Sequence, residues 1–241
     1  MTTEKLDFSL ILTTYNEAHI ITEDVAKIVR FLDKLKYNYE IILVEDCGKD
    51  NAKEVIKDIV ENKYRDHNIS YIFNEQNMGR GRSVEIGFSK AKGNIIGFID
   101  IDLEVSHYFI PQMLDAITEE GYDGAFGRRL DTFGIRSLHR WLATKVYVSL
   151  VKFFLHTPTA DSEAGYKFFK RSSYDKIAAI PKDNGWFWDT EVMYWTFKKG
   201  LRIKEVPVIF IERPDKKSTV RLFSDSVNQF KKLVSFRPKE D

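Results

Sequence analysis

The first hundred residues alternate between short apolar runs and longer stretches in which apolar residues recur at helical spacing. The short runs are rich in Ile, Leu and Phe, which is typical of buried strands, and the longer stretches are typical of amphipathic helices. Strands are predicted at 8–15, 39–46, 69–75 and 94–102. Helices are predicted at 18–35, 51–64 and 82–91. This alternation predicts an α/β fold with a mostly parallel sheet, flanked by helices and joined by right-handed crossovers.

The pattern changes after residue 121. A fifth strand, a long helical stretch, two further strand segments and a C-terminal amphipathic helix with a basic tail are predicted. They span 122–130, 133–158, 164–177, 201–213 and 220–241. No apolar run reaches the ~18 residues of a membrane span. The N-terminus has no long apolar run behind a basic start, so no signal peptide is expected.

Polar residues follow each of the first four predicted strands. They are Asn16 and Glu17, then Glu45 and Asp46, then residues 74–82, and finally Asp100, Asp102 and Glu104. Because parallel sheets bind ligands at the carboxyl ends of their strands, we expect these groups to converge on one edge. Taken singly, Asn16 or Asp46 also fits a helix cap, and that alternative stays open.

The segment FIDIDLE places three carboxylates on alternate positions, at Asp100, Asp102 and Glu104. In an extended strand such residues point to the same face, where their charges repel one another. A hard divalent cation prefers carboxylate oxygens and would relieve that repulsion. An acidic turn facing water is the alternative interpretation.

The segment NMGRGRS places Arg80 and Arg82 at the start of a helix, next to Gly79 and Gly81. Basic residues are unfavourable beside the positive end of the helix dipole, so this arrangement favours a nearby anion. The alternative is an ordinary glycine turn whose arginines pair with nearby aspartates. Together with the carboxylates, these features predict a nucleotide diphosphate held by a metal ion.

The composition limits the classes of ligand and metal site that are expected for this chain. The formal net charge is +1, which gives no reason to expect nucleic-acid binding. The single cysteine excludes a disulfide framework or a multi-cysteine zinc site within one chain. Any affinity for phosphate must therefore come from local clusters of basic residues.

The chain resembles glycosyltransferase family 2 in eight segments that occur in the family's order. They are TTYNE, ILVEDCGKDN, NMGRGRSVEIGF, FIDIDLE, GRR, DSEAGYKFFKR, FWDTEV, and EVPVIFIER with KKST. Within that family the chain is most similar to dolichol-phosphate mannose synthases and related polyprenyl-phosphate glycosyltransferases. The resemblance implies a GT-A fold over residues 1–221, followed by an amphipathic helix and tail at 222–241. It also implies a nucleotide-sugar donor, a Mg²⁺ or Mn²⁺ ion, and inversion at the anomeric carbon.

The resemblance also implies roles for individual residues. The nucleotide-sugar pocket would be lined by Thr14, Tyr15, Glu17, Glu45, Asp46, Arg80, Asp100, Arg213 and Ser218. The metal ligands would be Asp100, Asp102 and Glu104, the last of which stands where the family commonly has Gln. The catalytic residues would be Asp102, Arg129, Asp161 and Glu191.

The implied reaction is the transfer of one sugar from GDP-mannose or a UDP-hexose to dolichyl or undecaprenyl phosphate. A phosphate acceptor is already an anion and needs basic residues to hold it, whereas a hydroxyl acceptor needs a general base. The basic candidates are Arg129, Arg136, Arg140, Arg213 and Lys217. The candidates for a base are Asp161, Glu163 and Glu191. Two alternatives stay open: a glycosyltransferase acting on a saccharide or protein hydroxyl, as in cell-surface polysaccharide synthesis, and an inactive nucleotide-sugar-binding domain.

Two amphipathic helices, 133–156 and the C-terminal one, mix apolar and aromatic residues with Lys and Arg. Helices of this kind can lie in a membrane interface. Covering the sheet or joining two copies of the chain in a homodimer are the alternatives. We therefore expect a cytoplasmic protein that attaches peripherally to the cytoplasmic face of a membrane.

Overall fold

The computed structural model describes residues 6–130, 138–157, 161, 164–213 and 222–236, without the side chains of 138–144 and 222–226. The strands are β1 Phe8–Thr14, β2 Tyr39–Glu45, β3 Ile69–Phe73, β4 Ile95–Asp100, β5 Gly124–Arg129, β6 Tyr166–Lys170 and β7 Ile203–Val208. The helices are α1 Ala18–Leu32, α2 Ala52–Asp58, α3 Arg80–Lys90, α4 Ile110–Thr118, α5 Leu138–Leu155, α6 Arg171–Tyr174, α7 Trp188–Lys198 and α8 Leu222–Ser235. A π-helical turn extends α2 over Ile59–Lys63, and a 3-10 turn at His107–Phe109 precedes α4.

The described strands form one seven-stranded sheet in the order β3-β2-β1-β4-β6-β5-β7. All neighbours are parallel except β6, which runs antiparallel to both β4 and β5. The expected α/β fold with a mostly parallel sheet flanked by helices is confirmed.

Helices cover both faces of the sheet, which explains why the strands read as continuous apolar runs. In β1, Leu10 and Leu12 pack on the face that carries α1 and α4, while Ile11 packs on the face that carries α3 and α7. This alternation follows the two-residue period of a strand. Both sets are fully buried, so the sheet is a rigid frame for the loops at its edge.

Helices α4 and α7 were not predicted from the sequence. Helix α7 lacks an amphipathic pattern because residues 188–196 are all buried, including Asp189 and Glu191. The segment 164–177, predicted as a strand, forms strand only at Tyr166–Lys170 and then turns into α6. Among the residues that the structure describes, no helix is both long and apolar enough to cross a bilayer.

Candidate active site

The carboxyl ends of β1, β2 and β4 lie side by side. In the sheet register Thr14 stands opposite Glu45, and Thr13 stands opposite Asp100. The structure therefore brings together the ends of these three strands, as expected from the parallel alternation. The residues predicted to bind the donor at these ends share one edge of the sheet.

The turns that leave these strands contain three non-glycine residues with positive φ. They are Asn16 at 58°, Cys47 at 56° and Leu103 at 53°. Backbone strain of this kind persists only where the surroundings enforce it, and it clusters at functional sites. The first two turns are held against each other, since Asn16 Oδ1 accepts a hydrogen bond from the Lys49 amide at 2.6 Å. A side chain at Gly48 would come within 2.9 Å of the Asn16 nitrogen.

Two buried oxygen atoms at this edge have no hydrogen-bond partner within the described protein: Thr14 Oγ1 and Glu45 Oε2. The other Glu45 oxygen accepts from the Gly48 amide. Lys53 Nζ lies 3.9 Å from Glu45 Oε2 and partly balances its charge. Buried polar atoms are rarely left without a partner, so this pair favours a ligand at the strand ends.

The carboxylate of Asp46 anchors the loop that leads into α3. It accepts hydrogen bonds from the amides of Met78 at 2.7 Å and Gly79 at 2.8 Å, and from Asn74 Nδ2 at 2.8 Å. Asn74 also donates to Ser83 Oγ at 3.0 Å. Asp46 does not cap α2 and instead fixes the backbone just before α3. Its role in lining the nucleotide-sugar pocket stays a prediction.

Arg80, the first residue of α3, reaches back to the end of β4. Its Nε donates to Asp100 Oδ1 at 2.9 Å, and its Nη1 donates to Asp189 Oδ2 at 2.5 Å. The guanidinium also lies over the ring of Trp186, with 4.9 Å between the guanidinium carbon and the ring centroid. Arg80 thus balances the dipole of its own helix with two carboxylates, which matches the alternative in which it pairs with Asp100.

Strand β4 ends at Asp100, so the expectation that three carboxylates share one face of an extended strand is wrong. The chain turns there, and Asp102 is buried within the turn, where its Oδ1 accepts from the Glu104 amide at 3.1 Å. Arg213 closes this turn by donating from its backbone amide to Glu104 Oε1 at 3.4 Å and from Nη1 to the Asp102 carbonyl at 3.0 Å. The same guanidinium pairs with buried Asp24 of α1.

The charges at this turn fit a divalent cation. Desolvation raises the pKa of Asp100, the Arg80 guanidinium opposes that shift, and the nearby Asp102 charge adds to it, leaving the pKa above its ordinary value. The Asp102 charge therefore disfavours ionisation of Asp100, and a cation would relieve this. No group of three or more His, Cys, Asp or Glu side chains in metal-binding geometry is present among the described residues. A cation here would need phosphate or water oxygens as well, which suits Mg²⁺ or Mn²⁺.

Arg129, at the end of β5, forms a two-pronged ion pair with Asp161. Its Nε and Nη2 donate to the two carboxylate oxygens at 2.6 and 2.7 Å, and its backbone amide donates at 3.2 Å. Burial alone would raise the pKa of Asp161, but the Arg129 charge and hydrogen bonds outweigh it and hold the pKa below its ordinary value. An aspartate held ionised in this way is a weak general base.

Glu191 holds the loop in front of α7. Its Oε2 accepts from the backbone amides of Lys182 at 2.6 Å and Asp183 at 2.8 Å. Burial raises its pKa in spite of these hydrogen bonds. The described contacts therefore give Glu191 a role in positioning this loop, and its catalytic role stays a prediction.

The structure describes only some of the remaining predicted residues. Tyr15 and Glu17 lie half-buried in the turn between β1 and α1. Ser218, Glu163, Arg136 and Lys217 lie outside the described residues, as does the side chain of Arg140.

The sequence reasoning missed two charged residues beneath this site, Lys167 of β6 and Asp189 of α7. Lys167 Nζ donates to Asp189 Oδ1 at 2.5 Å and to the Ala164 carbonyl at 2.7 Å. A signal existed, because Lys167 stands between apolar residues in a strand whose neighbours are buried. A charged residue that far from water requires a partner.

A family model for glycosyl transferase family 2 matches residues 9–178. The chain belongs to glycosyl transferase family 2. The predicted family is thereby confirmed, and the chain is a glycosyltransferase by family.

Two curated relatives are glycosyltransferases by name. The chain is 28% identical over 216 residues to Glycosyltransferase AglD of Haloferax volcanii, covering 88% of this chain and 34% of that protein. It is 25% identical over 252 residues to the dolichyl-phosphate beta-glucosyltransferase of Saccharomyces cerevisiae, covering 97% of this chain and 75% of that protein. The chain thus spans about a third of the Haloferax relative and three quarters of the yeast one.

Solved structures confirm the GT-A fold. Glucosyl-3-phosphoglycerate synthase from Mycobacterium tuberculosis, in complex with UDP, has a TM-score of 0.71 at 18% identity, covering 95% of this chain and 79% of that one. Mannosyltransferase PcManGT from Pyrobaculum calidifontis, in complex with GDP-Man and Mn²⁺, has a TM-score of 0.61 at 13% identity. The match covers 96% of this chain and 70% of that one. At these identities the likeness concerns the fold alone.

Proposed function

We propose that this domain transfers one sugar, with inversion, from a nucleotide-diphosphate sugar to the phosphate of a polyprenyl phosphate. The observation that carries the proposal is the pair formed by Arg129 and Asp161. It places a fixed guanidinium at the end of β5 and keeps its carboxylate partner ionised. Such a site suits an anionic acceptor that needs a cation to hold it and no base to deprotonate it. The name of the yeast relative, a dolichyl-phosphate beta-glucosyltransferase, points to the same acceptor class.

The donor would bind at the carboxyl edge of β1, β2 and β4. Thr14 Oγ1 and Glu45 Oε2 offer unsatisfied hydrogen-bonding capacity there. Asp100 and Asp102 would hold a Mg²⁺ or Mn²⁺ ion, which when bound neutralises the charge that grows on the departing diphosphate. Arg80 and Arg213, both fixed to this turn, would add positive charge around the phosphates.

The chemical step balances without a proton transfer. An acceptor phosphate oxygen forms a bond to the anomeric carbon from the face opposite the diphosphate. The bond from that carbon to the diphosphate oxygen breaks, and its electron pair leaves with the nucleoside diphosphate. The Arg129 guanidinium would hold the attacking phosphate, and Asp161 would hold Arg129 in place.

The assay that tests this proposal uses the purified chain with Mn²⁺ or Mg²⁺ and labelled donor. UDP-glucose is tested first, because the yeast relative is named a glucosyltransferase. GDP-mannose and other UDP-hexoses are tested as donors in parallel assays. Dolichyl and undecaprenyl phosphate are compared with the matching polyprenols and with saccharide acceptors. Labelled lipid that forms only from the phosphates supports the proposal. Transfer to hydroxyl acceptors alone overturns it, and the absence of any metal-dependent transfer or donor hydrolysis favours an inactive binding domain.

We further propose that α5 and α8 bring the domain to a membrane surface, at the cytoplasmic face in the cell. These helices contact each other through Tyr147 and Gln229, whose side chains are hydrogen-bonded at 3.4 Å. They expose the apolar side chains of Val146, Phe153, Phe154, Val227, Phe230 and Val234. Exposed lysines at Lys145, Lys152 and Lys231 accompany them. Apolar side chains next to basic ones favour binding to anionic lipid.

Sedimentation with lipid vesicles tests this attachment. The chain should bind vesicles containing anionic lipid, and Phe153→Ser should weaken binding because Phe153 is 72% exposed. Tyr108→Ser is a matched control, since Tyr108 is 63% exposed but precedes α4, away from these two helices. Equal losses in both variants, or no binding by the unaltered chain, would contradict the proposed surface.

A further inference from the structure

A chain of alternating charges runs from the predicted metal site into the protein. Asp100 accepts from Arg80 at 2.9 Å, Arg80 donates to Asp189 at 2.5 Å, and Asp189 accepts from Lys167 at 2.5 Å. The four residues come from β4, α3, α7 and β6. Elements far apart in the sequence thus meet in one electrostatic unit.

The inner half of this unit is sealed from water. Lys167 is 0% exposed and Asp189 is 1% exposed as side chains. Lys167 Nζ lies 5.7 Å and 5.6 Å from the ring centroids of Phe98 and Phe126, so its surroundings include apolar aromatic surface. A buried charge that loses its partner is strongly disfavoured, so each member of the unit depends on the next.

Arg80 is hydrogen-bonded to both carboxylates of the unit, and protein atoms closely surround its guanidinium. Its side chain is only 10% exposed, and its Nη2 is buried without a hydrogen-bond partner in the described protein. A Cβ atom added at Gly165 would overlap both Asp100 Oδ2 and Arg80 Nη2, so the backbone just before β6 lies directly against this ion pair. One guanidinium thus serves both carboxylates, Asp100 through Nε and Asp189 through Nη1.

We propose that Asp189 and Lys167 are positioning residues that set how strongly Arg80 competes with a divalent cation for Asp100. The inference rests on the proposed function, because it places a cation at Asp100 and Asp102. Asp189 draws Arg80 inward and keeps it from fully neutralising Asp100. Lys167 holds Asp189 and limits that inward pull.

The proposal requires the two charges to act on cation affinity in opposite directions. Without the Asp189 charge, Arg80 pairs with Asp100 alone and opposes the cation. Without the Lys167 charge, Asp189 draws Arg80 away from Asp100, and the local potential becomes more negative. A purely structural role for the pair would weaken cation binding in both variants, because either loss would loosen the same part of the site.

The experiment measures Mn²⁺ binding by electron paramagnetic resonance, without turnover, for Asp189→Asn, Lys167→Met and the double variant. UDP and GDP are added in separate titrations. Asp189→Asn should weaken Mn²⁺ binding by about tenfold or more, which is the scale of one unit charge at an effective dielectric of ~20. Lys167→Met should leave binding unchanged or tighten it, and the double variant should bind Mn²⁺ about as weakly as Asp189→Asn, because Lys167 acts on Arg80 through the Asp189 charge. Lys204→Met, which removes an exposed ion pair with Glu120, is the matched control and should have no effect.

The outcomes separate this inference from the proposed function. If the unaltered chain binds no Mn²⁺ with either nucleotide, the metal site and this inference both fall. If it binds Mn²⁺ but both single variants weaken binding to the same degree, only the inference falls. Thermal unfolding identifies a variant that fails to fold. Should a single variant fail to fold, the double variant decides, because unchanged Mn²⁺ affinity in a folded double variant overturns the inference.

Discussion

Asp100 and Asp161 are both bonded to an arginine, yet their pKa values move in opposite directions. The pKa of Asp100 lies above its ordinary value, whereas the pKa of Asp161 lies below it. Asp161 receives three hydrogen bonds from Arg129, two of them from its guanidinium. Asp100 receives one from an arginine that it shares with Asp189, and it also lies near the Asp102 charge.

This difference divides the site into two halves. The Asp100 half has an excess of negative charge, which favours a cation and the diphosphate that accompanies it. The Asp161 half is already balanced, and the ion pair fixes Arg129 in place, where under the proposed function it would hold the anionic acceptor. The same pair of residue types therefore has two different balances of charge, and the neighbouring charges decide which.

The largest expected effect comes from removing the charge of Asp102, the neighbour that distinguishes Asp100 from Asp161. Asp102→Asn should lower the rate of sugar transfer by about 10³-fold, because charge on the departing diphosphate would lose much of its stabilisation. The measurement is turnover with labelled donor, accompanied by thermal unfolding. Near-normal turnover in a folded variant would contradict the metal assignment.

Crowding the Asp100 ion pair should have the next largest effect. Gly165→Ala would place a methyl group against Asp100 Oδ2 and Arg80 Nη2, and displacement of these groups should lower turnover by about 10²-fold. Gly185→Ala is the matched control, since its added atom would meet only Asp183 Oδ1, at an ordinary 3.4 Å. Similar losses in the two variants would show that the position of the ion pair does not matter.

On the opposite half, Arg129→Lys tests the two-pronged pair with Asp161. Lysine keeps the charge but cannot reproduce the planar fork, so the apparent KM for polyprenyl phosphate should rise by about tenfold. The KM for the nucleotide-sugar donor should stay unchanged. A rise confined to the donor KM would place Arg129 on the wrong half of the site.

A smaller effect concerns stability against pH. The folded-state pKa of Asp161 is lowered, so this group stabilises the fold above the ordinary aspartate pKa of about 3.9 and loses that contribution as the pH falls through the folded-state value. The folded-state pKa of Asp100 is raised, so its ionised form opposes folding at neutral pH. Without metal at pH 7, Asp161→Asn should lower the free energy of unfolding, and Asp100→Asn should raise it. Denaturant titration of both variants measures these signs, and a shared sign would contradict the comparison.

Most of the Asp100 half could be predicted from the sequence. Parallel strands with a two-residue period place Thr14, Glu45 and Asp100 at one edge of the sheet, and the apolar runs reveal those strands. The turn after Asp100 could not be predicted, because an alternating sequence gives no sign of where a strand stops.

Ion pairs between residues far apart along the chain could not be predicted from the sequence. Asp189 meets Arg80 across 109 positions, and Arg213 meets Asp24 across 189. Such contacts depend on how helices pack on the sheet, which local periodicity does not encode. Helix α7 was hidden for a related reason: it is buried on every side and lacks a polar stripe.

The most direct test of the two-halves account is Mn²⁺ binding to Asp100→Asn and Asp161→Asn in the presence of nucleoside diphosphate. Electron paramagnetic resonance should show that the unaltered chain binds Mn²⁺, that Asp100→Asn loses most of this affinity, and that Asp161→Asn retains it. An equal loss in both variants, or full affinity in Asp100→Asn, would contradict the account.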